Sequence, residues 1–229
     1  MLHVTQQGPV AALVIELYPF GRKKFAPEID PLIEHVRAQD GKILCSVRDV
    51  LVNARLDQAR HDQRAADTLN GQFDAVLVHS DDRIFKLDES FKPERPLTIK
   101  VHHTGFVTRS VRRDPNANGT VTLVTAGGGI VGHALYRAAV DAQRVLWDRK
   151  GWGMTIVAGP LLPDDHWQAL QAQAHDVHGL LLVREVPTMA PLLAQAGRVV
   201  SQCGYNSALE IVQHRLPTLF IPFARGQES

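Results

Sequence analysis

Short apolar runs alternate with longer segments of helical periodicity along almost the whole chain. Apolar residues recur at helical spacing in segments such as 28–38, where Ile29, Leu32, Ile33 and Val36 would share one face. Short runs rich in β-branched residues predict buried strands. The predicted strands are residues 11–17, 43–47, 74–79, 97–101, 120–125, 155–158, 180–183, 199–201 and 218–221. The predicted helices are residues 28–38, 50–69, 134–150, 165–174, 188–194 and 207–213.

Strands that alternate with helices predict an α/β fold with parallel sheets built from βαβ units. A polar, turn-rich segment at residues 108–119 interrupts the alternation and is the predicted linker. We therefore expect two Rossmann-like domains, an incomplete N-terminal domain at residues 1–107 and a C-terminal domain at residues 120–229. Few strands precede the linker, and the last predicted strand lacks a following helix. These two features lead us to expect a chain truncated at both ends.

Charge and composition narrow the classes of function. The formal net charge is +1, so the chain lacks the basic excess that nucleic-acid binding requires. No apolar run reaches the roughly 20 residues that span a bilayer, and the start does not have the form of a signal peptide. Cys45 and Cys203 lie far apart without ligand spacing, which favours two reduced thiols that act as small core residues. We expect a cytoplasmic protein, with peripheral contact to the inner face of a membrane left open.

Glycines follow the strand at residues 120–125 and precede a helix. Such a junction lets the backbone approach a phosphate, and the helix start presents free N–H groups. Gly127, Gly129 and Gly132 also satisfy the G-x-G-x-x-G pattern of dinucleotide-binding folds, but Ala158-Gly159-Pro160 stands where an acidic residue would bind the ribose. A tight turn without a ligand is the other alternative at this junction.

A second strand-to-helix junction runs from Ser201 through Gly204 to a helix predicted to start at Ser207. Ser207 and Glu210 have the spacing of a capping box, which would explain both residues without a ligand. In the functional alternative, Ser201, Gly204 and the helix start surround a diphosphate, and Glu210 accepts hydrogen bonds from a ribose diol. Local sequence leaves both alternatives open.

Residues 197–223 resemble the donor-nucleotide region of GT-B glycosyltransferases of family 28, and in particular a group of predicted glycosyltransferases related to the peptidoglycan-precursor N-acetylglucosaminyltransferase. The shared pattern is a strand, a Ser/Gly loop, a helix with a ribose-binding Glu, then Leu-Pro and a strand that ends in Pro-Phe; Glu210 matches that Glu. Residues 127–129 resemble the family's second glycine loop, and residues 16–24 and 45–49 resemble the predicted-glycosyltransferase group. The resemblance implies donor-nucleotide contacts at Gly127, Gly128, Gly129, Ser201, Gly204, Asn206, Ser207, Glu210 and Gln227.

The resemblance also implies the activity: transfer of a hexosyl group from a nucleotide diphosphate sugar, a UDP-sugar in the first instance, to an acceptor hydroxyl. It makes residues 1–107 a partial acceptor-side domain and residues 120–229 a nucleotide-sugar donor-binding domain. The expected partners are that donor and an unidentified acceptor, with a lipid-linked acceptor as one option. We expect no cofactor and no metal. The family's glycine-rich first loop with its His has no counterpart here, so no catalytic residue is assigned. The alternatives are an epimerase-like enzyme that uses nucleotide sugars, and a fragment that binds nucleotide without turnover.

Two further groups of polar residues bear on the chemistry. His102 and His103 follow a predicted strand, where one of them could act as a proton acceptor, although a structural histidine is the better interpretation. Asp81 and Asp82 could suggest a metal site, but adjacent side chains point apart. We therefore expect no metal there.

Overall fold

The structure is a computed structural model that describes residues 8–48, 51, 55–108 and 119–223. It confirms the α/β class, with two sheets in which every strand pair is parallel. The chain divides into two compact units with a boundary between Val107 and Thr108. The predicted linker lies almost entirely outside the described residues, so its conformation stays a prediction.

The first unit contains a sheet of four strands in the order β1-β2-β3-β4. Its strands are β1 (Ala12–Glu16), β2 (Lys42–Val47), β3 (Ala75–Val78) and β4 (Lys100–His103). Its helices are α1 (Ala26–Arg37), α2 (Gln58–Gln72) and the short α3 (Leu87–Ser90), with a 3-10 turn at Lys23–Phe25 before α1.

The core of the first unit follows the predicted periodicity. The four apolar residues of α1 that the sequence places on one face are all buried. Three of them, Ile29, Ile33 and Val36, belong to one cluster with buried strand residues such as Ile43 and Val76. Because both strands and helices contribute apolar faces, burial of these faces stabilises the layered arrangement.

The second unit contains a sheet of five strands in the order β7-β6-β5-β8-β9. Its strands are β5 (Val121–Thr125), β6 (Gly153–Val157), β7 (Leu180–Val183), β8 (Arg198–Ser201) and β9 (Thr218–Phe220). Its helices are α4 (His133–Lys150), α5 (Asp164–Ala174), α6 (Ala190–Gln195) and α7 (Tyr205–Gln213). One apolar cluster includes Tyr136, Val140 and Ile156, and a second includes Leu123, Val199 and Ile211.

Several predicted element boundaries are wrong. The largest error is in α2, which runs over Gln58–Gln72 and not over residues 50–69. Strand β4 begins at Lys100 rather than at Leu97, so His102 and His103 lie within the strand and do not follow it. Helix α7 begins at Tyr205, two residues before the predicted start at Ser207. Within the described residues, no helix is both long enough and apolar enough to cross a membrane.

Candidate functional site

The topology of the second sheet brings the two glycine-bearing junctions side by side. Strands β5 and β8 are adjacent, with Thr125 opposite Ser201 at their carboxyl ends. The chain continues from β5 to β6 on one side and later returns to β8 on the other, so this is the point at which the strand order reverses. Open α/β sheets bind ligands beyond the carboxyl ends of their strands at such a point.

Glycines in the junction after β5 are required by backbone conformation and close packing. Gly127 has φ 61° and Gly129 has φ 91°, a region that side chains disfavour. A Cβ placed on Gly129 would overlap the carbonyl oxygen of Ala158, and one on Gly132 would overlap the ring of Tyr136. Packing alone therefore explains Gly129 and Gly132. It does not explain Gly128, which is exposed and would have only the Leu161 side chain near an added Cβ.

The Tyr136 hydroxyl fixes this junction to the next strand. Its oxygen accepts a hydrogen bond from the Ala126 amide at 3.1 Å and its proton is donated to the carbonyl of Ala158 at 2.7 Å. The side chain is fully buried, and burial raises the pKa of Tyr136. Sequence analysis missed this residue because an aromatic side chain at an apolar helix position is typical of a core. The sequence feature that could have indicated it is the position of this tyrosine, one helical turn after Gly132, from which its hydroxyl can reach the glycine loop.

The junction after β8 has a different construction. Ser201 is 1% exposed, and its Oγ accepts a hydrogen bond from the Cys203 amide at 3.4 Å, so this hydroxyl holds the turn. Gln202 donates from Nε2 to the Val131 carbonyl at 3.1 Å, which ties the turn to the first junction. Cys203 is exposed and has φ 63°, so the expectation that it is a core residue is wrong. Cys45 is buried as expected, and burial raises the pKa of its thiol to about 12.

Helix α7 excludes the capping-box explanation of Ser207 and Glu210. The residue that precedes the helix is Gly204, so Ser207 is the third helical residue and not the cap. The Ser207 hydroxyl faces the other junction, because its Oγ is 3.8 Å from the position that a Cβ would take on Gly127. Glu210 lies three residues later on the same side of the helix and is half-buried. Its carboxylate has no hydrogen bond or ion pair with any residue that the structure describes.

Backbone N–H groups complete the geometry. The amides of Gly128, Gly204 and Ser207 donate no hydrogen bond to the described part of the chain. Asn206 is exposed in the first turn of α7. Free amides at a helix start, together with the helix dipole, favour a bound anion. Gln227 lies outside the described residues, so its predicted contact is not located.

The histidines and aspartates that the sequence also suggested as functional residues lie in the first unit, and not at the two glycine junctions. His103 Nδ1 is 3.3 Å from Ser80 Oγ in the first unit, and His102 is exposed. Asp81 pairs with Arg83 at 2.6 Å, and that guanidinium holds the pKa of the Asp81 carboxyl well below its usual range. Over the described ranges, no three His, Cys, Asp or Glu side chains are grouped so that they could hold a metal ion. A metal-free site stays a prediction.

A cavity of about 490 Å³ lies in the first unit, with Leu87, Phe91, Leu97, Val101 and His103 in its lining. No predicted site residue lines it. We place the candidate site at the glycine junctions because the free amides and the unpaired carboxylate lie there, whereas the cavity is lined largely by apolar side chains.

Several solved glycosyltransferases share this fold. The UDP-glucosyltransferase from Polygonum tinctorium that glucosylates indoxyl is 15% identical with a TM-score of 0.56, over 97% of this chain and 59% of its own. MurG from Acinetobacter baumannii is 15% identical with a TM-score of 0.52, over 98% of this chain and 56% of its own. A transferase from Siraitia grosvenorii in complex with UDP is 12% identical with a TM-score of 0.53, over 97% of this chain and 62% of its own.

These likenesses show the fold, which is the GT-B fold, with a Rossmann-like sheet in each unit. The chain spans about three fifths of the length of these solved structures. No protein-family model and no curated protein sequence matches the chain.

Proposed function

We propose that the chain belongs to a glycosyltransferase that moves a hexosyl group from a UDP-sugar to an acceptor hydroxyl. The observation that carries the proposal is the adjacency of the two junctions after β5 and β8. Gly127 faces the start of α7 across a short gap, and the partnerless Glu210 carboxylate lies one turn further along that helix. The UDP in the Siraitia grosvenorii complex and the UDP-glucosyltransferase from Polygonum tinctorium support the choice of donor.

Each group has a role that its chemistry suits. The amides of Gly128, Gly204 and Ser207 stabilise the diphosphate, on which negative charge develops as the bond to the sugar breaks. Asn206 lies beside them, and the buried Ser201 hydroxyl holds the turn in shape. The Glu210 carboxylate accepts hydrogen bonds from the ribose hydroxyls. Because backbone N–H groups and the dipole of α7 stabilise the negative charge on the diphosphate, we propose that the site needs no metal ion.

The finer assignments belong to the same proposal. We infer membership of family 28 from residues 197–223, and support comes from the fold shared with MurG. A cytoplasmic location fits two cysteines that are both unpaired. No observation favours the epimerase-like alternative.

Calorimetry on the chain with UDP, UDP-glucose, ADP and NAD tests the donor site. We expect UDP and UDP-glucose to bind with one site per chain, more tightly than ADP or NAD, and equally well after treatment with a chelator. A chain that binds none of the four nucleotides contradicts the proposal. UDP binding without UDP release from UDP-glucose would favour the alternative of a binding fragment without turnover.

A further inference from the structure

Two cationic side chains of the first unit converge on one histidine nitrogen. His61, the fourth residue of α2, is buried, and its Nε2 atom is 2.9 Å from the carbonyl oxygen of Phe20. Its Nδ1 atom is 3.2 Å from Lys23 Nζ and 2.7 Å from Arg55 Nη1. A carbonyl oxygen can only accept a hydrogen bond, and lysine and arginine side chains can only donate. Nε2 therefore has the ring proton, and Nδ1 accepts from both cations. Arg55 Nη1 is also 3.0 Å from Nε2, but that nitrogen cannot accept while it donates to Phe20.

The positive charge of these two side chains is not balanced by an ion pair. Neither Lys23 nor Arg55 forms a salt bridge with any residue that the structure describes. The nearby Asp57 carboxylate pairs with Arg64 at 3.4 Å instead. Asp62 is buried and accepts hydrogen bonds from a glutamine side chain and a backbone amide. The two carboxylates near the cluster are thus engaged by other groups.

The electrostatic effects on Lys23 show what the cluster lacks. Burial of the ammonium group lowers the pKa of Lys23, and the Arg64 and Arg55 guanidinium groups lower it further, against opposing effects from Asp57 and Asp62. Like charges that lie close together destabilise each other's charged form. An anion that pairs with both Lys23 and Arg55 would remove this repulsion and form charge-assisted hydrogen bonds with each of them.

The Arg55 guanidinium has an unused donor. Its Nε atom is buried and has no hydrogen-bond partner among the residues that the structure describes. Buried polar groups usually have a partner, so this N–H group is an exception. A guanidinium presents its N–H groups as a planar fork that matches the oxygens of a phosphate. An arginine with an incomplete set of hydrogen bonds gains bonds by turning toward such an anion.

The cluster is built from connections that leave the carboxyl ends of two neighbouring strands. Lys23 lies in the connection after β1, and Arg55 and His61 lie in and beyond the connection after β2. Open α/β sheets bind ligands beyond the carboxyl ends of their strands. The start of α2 adds the positive end of a helix dipole to the charge of the cations.

We propose that Lys23 and Arg55 form a binding site for a phosphate group, carried by a soluble phosphate ester or by a lipid headgroup. The phosphate oxygens accept hydrogen bonds from the ammonium and guanidinium groups. His61 is a positioning residue, because its Nδ1 atom holds the two cations close together. A phosphate dianion matches the charge of two cations, whereas a carboxylate matches only one. The site lies within the first unit, and the inference does not rest on the proposed function.

Calorimetry on the full chain tests the site with inorganic phosphate, glycerol 3-phosphate and acetate. Excess UDP is present throughout, so that the donor junctions are not counted. We expect one phosphate or glycerol 3-phosphate per chain, and weaker binding of acetate. Lys23→Gln and Arg55→Gln should each weaken phosphate binding by a factor of about 10–100, as for loss of a charged hydrogen-bond partner.

The matched control is Lys24→Gln. It removes the same charge from the next residue, whose Nζ lies over the Phe25 ring at 5.2 Å and not at His61. This variant should bind phosphate as tightly as wild type. Equal phosphate affinity in wild type and Lys23→Gln, or acetate binding as tight as phosphate binding, overturns the inference.

Vesicle sedimentation distinguishes the two sources of the phosphate group. Vesicles of phosphatidylcholine with and without phosphatidic acid are compared in wild type and in Lys23→Gln. Binding that requires both phosphatidic acid and Lys23 would assign the site to a lipid headgroup. Binding of glycerol 3-phosphate without binding to the vesicles would assign it to a soluble ester. A chain that binds neither glycerol 3-phosphate nor phosphatidic acid contradicts the proposal.

The ring of His61 reports on the cluster directly. Burial lowers the pKa of His61, and Lys23 and Arg55 lower it further, whereas the hydrogen bond to the Phe20 carbonyl and the Asp62 carboxylate act in the opposite direction. A bound phosphate adds negative charge beside the ring and so favours its protonated form. The pKa of His61 should therefore rise when phosphate replaces chloride at equal ionic strength.

NMR titration of the histidine side chains measures this response without any nucleotide. Lys23→Gln should raise the pKa of His61 in chloride, because it removes a neighbouring cation, and should abolish the response to phosphate. Lys24→Gln should change neither. A pKa of His61 that is the same in phosphate and chloride overturns the inference. Failure to bind UDP would contradict the proposed function alone, since the titration of His61 decides the phosphate site independently.

Discussion

The two glycine-bearing junctions of the second unit lie on neighbouring strands but are built in different ways. In the junction after β5, Gly129 packs against the Ala158 carbonyl and Tyr136 ties the loop to the end of β6. In the junction after β8, Gly204 is exposed and an added Cβ would meet nothing within 4 Å. The same residue type is thus required by packing at one junction and left open at the other. Packing therefore does not require a glycine at position 204, and contact with a ligand there stays a prediction.

The largest expected effect is that of Gly129→Ala. The new methyl group would overlap the backbone carbonyl of Ala158, and a backbone oxygen cannot move away by a rotamer change as a side chain can. The φ of 91° at this position is also unfavourable for alanine. We expect a loss of more than about 3 kcal/mol in the free energy of unfolding, at the high end of single substitutions, together with loss of UDP binding. Urea denaturation and calorimetry measure the two effects. A variant within about 0.5 kcal/mol of wild type would show that packing does not require Gly129.

Tyr136→Phe should have the next largest effect. It removes the hydroxyl but keeps the ring, and it leaves the Ala126 amide and the Ala158 carbonyl without this partner. Unsatisfied buried groups predict a loss of about 1–3 kcal/mol in the free energy of unfolding. Urea denaturation gives the value, with circular dichroism as the control for an intact fold. An unchanged free energy would mean that water replaces the hydroxyl.

Glu210→Ala should change affinity and leave stability alone, since the carboxylate is not part of a capping box. We expect UDP binding to weaken by about 1–3 kcal/mol, as for loss of a charged hydrogen-bond partner, with an unchanged melting temperature. The control is 2′,3′-dideoxy-UDP, for which wild type and variant should bind alike because the ribose hydroxyls are missing. A lower melting temperature with unchanged UDP affinity would contradict the assignment.

Gly204→Ala is the matched counterpart of the first substitution and should have the smallest effect on folding. Its φ of −59° and ψ of 140° suit any residue. Alanine is a weaker helix cap than glycine but reduces the entropy of the unfolded chain, so these terms nearly cancel and the free energy of unfolding should change by less than about 0.5 kcal/mol. If a diphosphate approaches here, the methyl group should still weaken UDP binding. Equal UDP affinity in variant and wild type would remove Gly204 from the site.

Periodicity predicted the α/β class because each layer buries one face, and a buried face leaves a pattern in the sequence. The starts of β4 and α7 were predicted wrongly because side-chain packing and helix capping, and not periodicity, set where these elements begin. Leu97 and Ile99 pack on the core without pairing in the sheet, so their apolar pattern predicted a strand that begins too early. Helix α7 begins after Gly204. Glycine is a less preferred helix cap than serine, so the sequence pattern pointed to Ser207 instead.

The site was predictable only in part. Local sequence identified both junctions, but their adjacency depends on β8 pairing with β5, and two strands separate them along the chain.

The hydrogen bond from the Ala126 amide to Tyr136 provides a built-in reporter of the glycine loop. Tyr136 belongs to α4, so this amide hydrogen can exchange with deuterium only when the helix and the sheet separate or when the ring leaves its place. Its exchange rate therefore measures how often the loop loses its support. A nucleotide that binds only the supported loop would slow that rate in proportion to its occupancy, even in a chain that catalyses nothing.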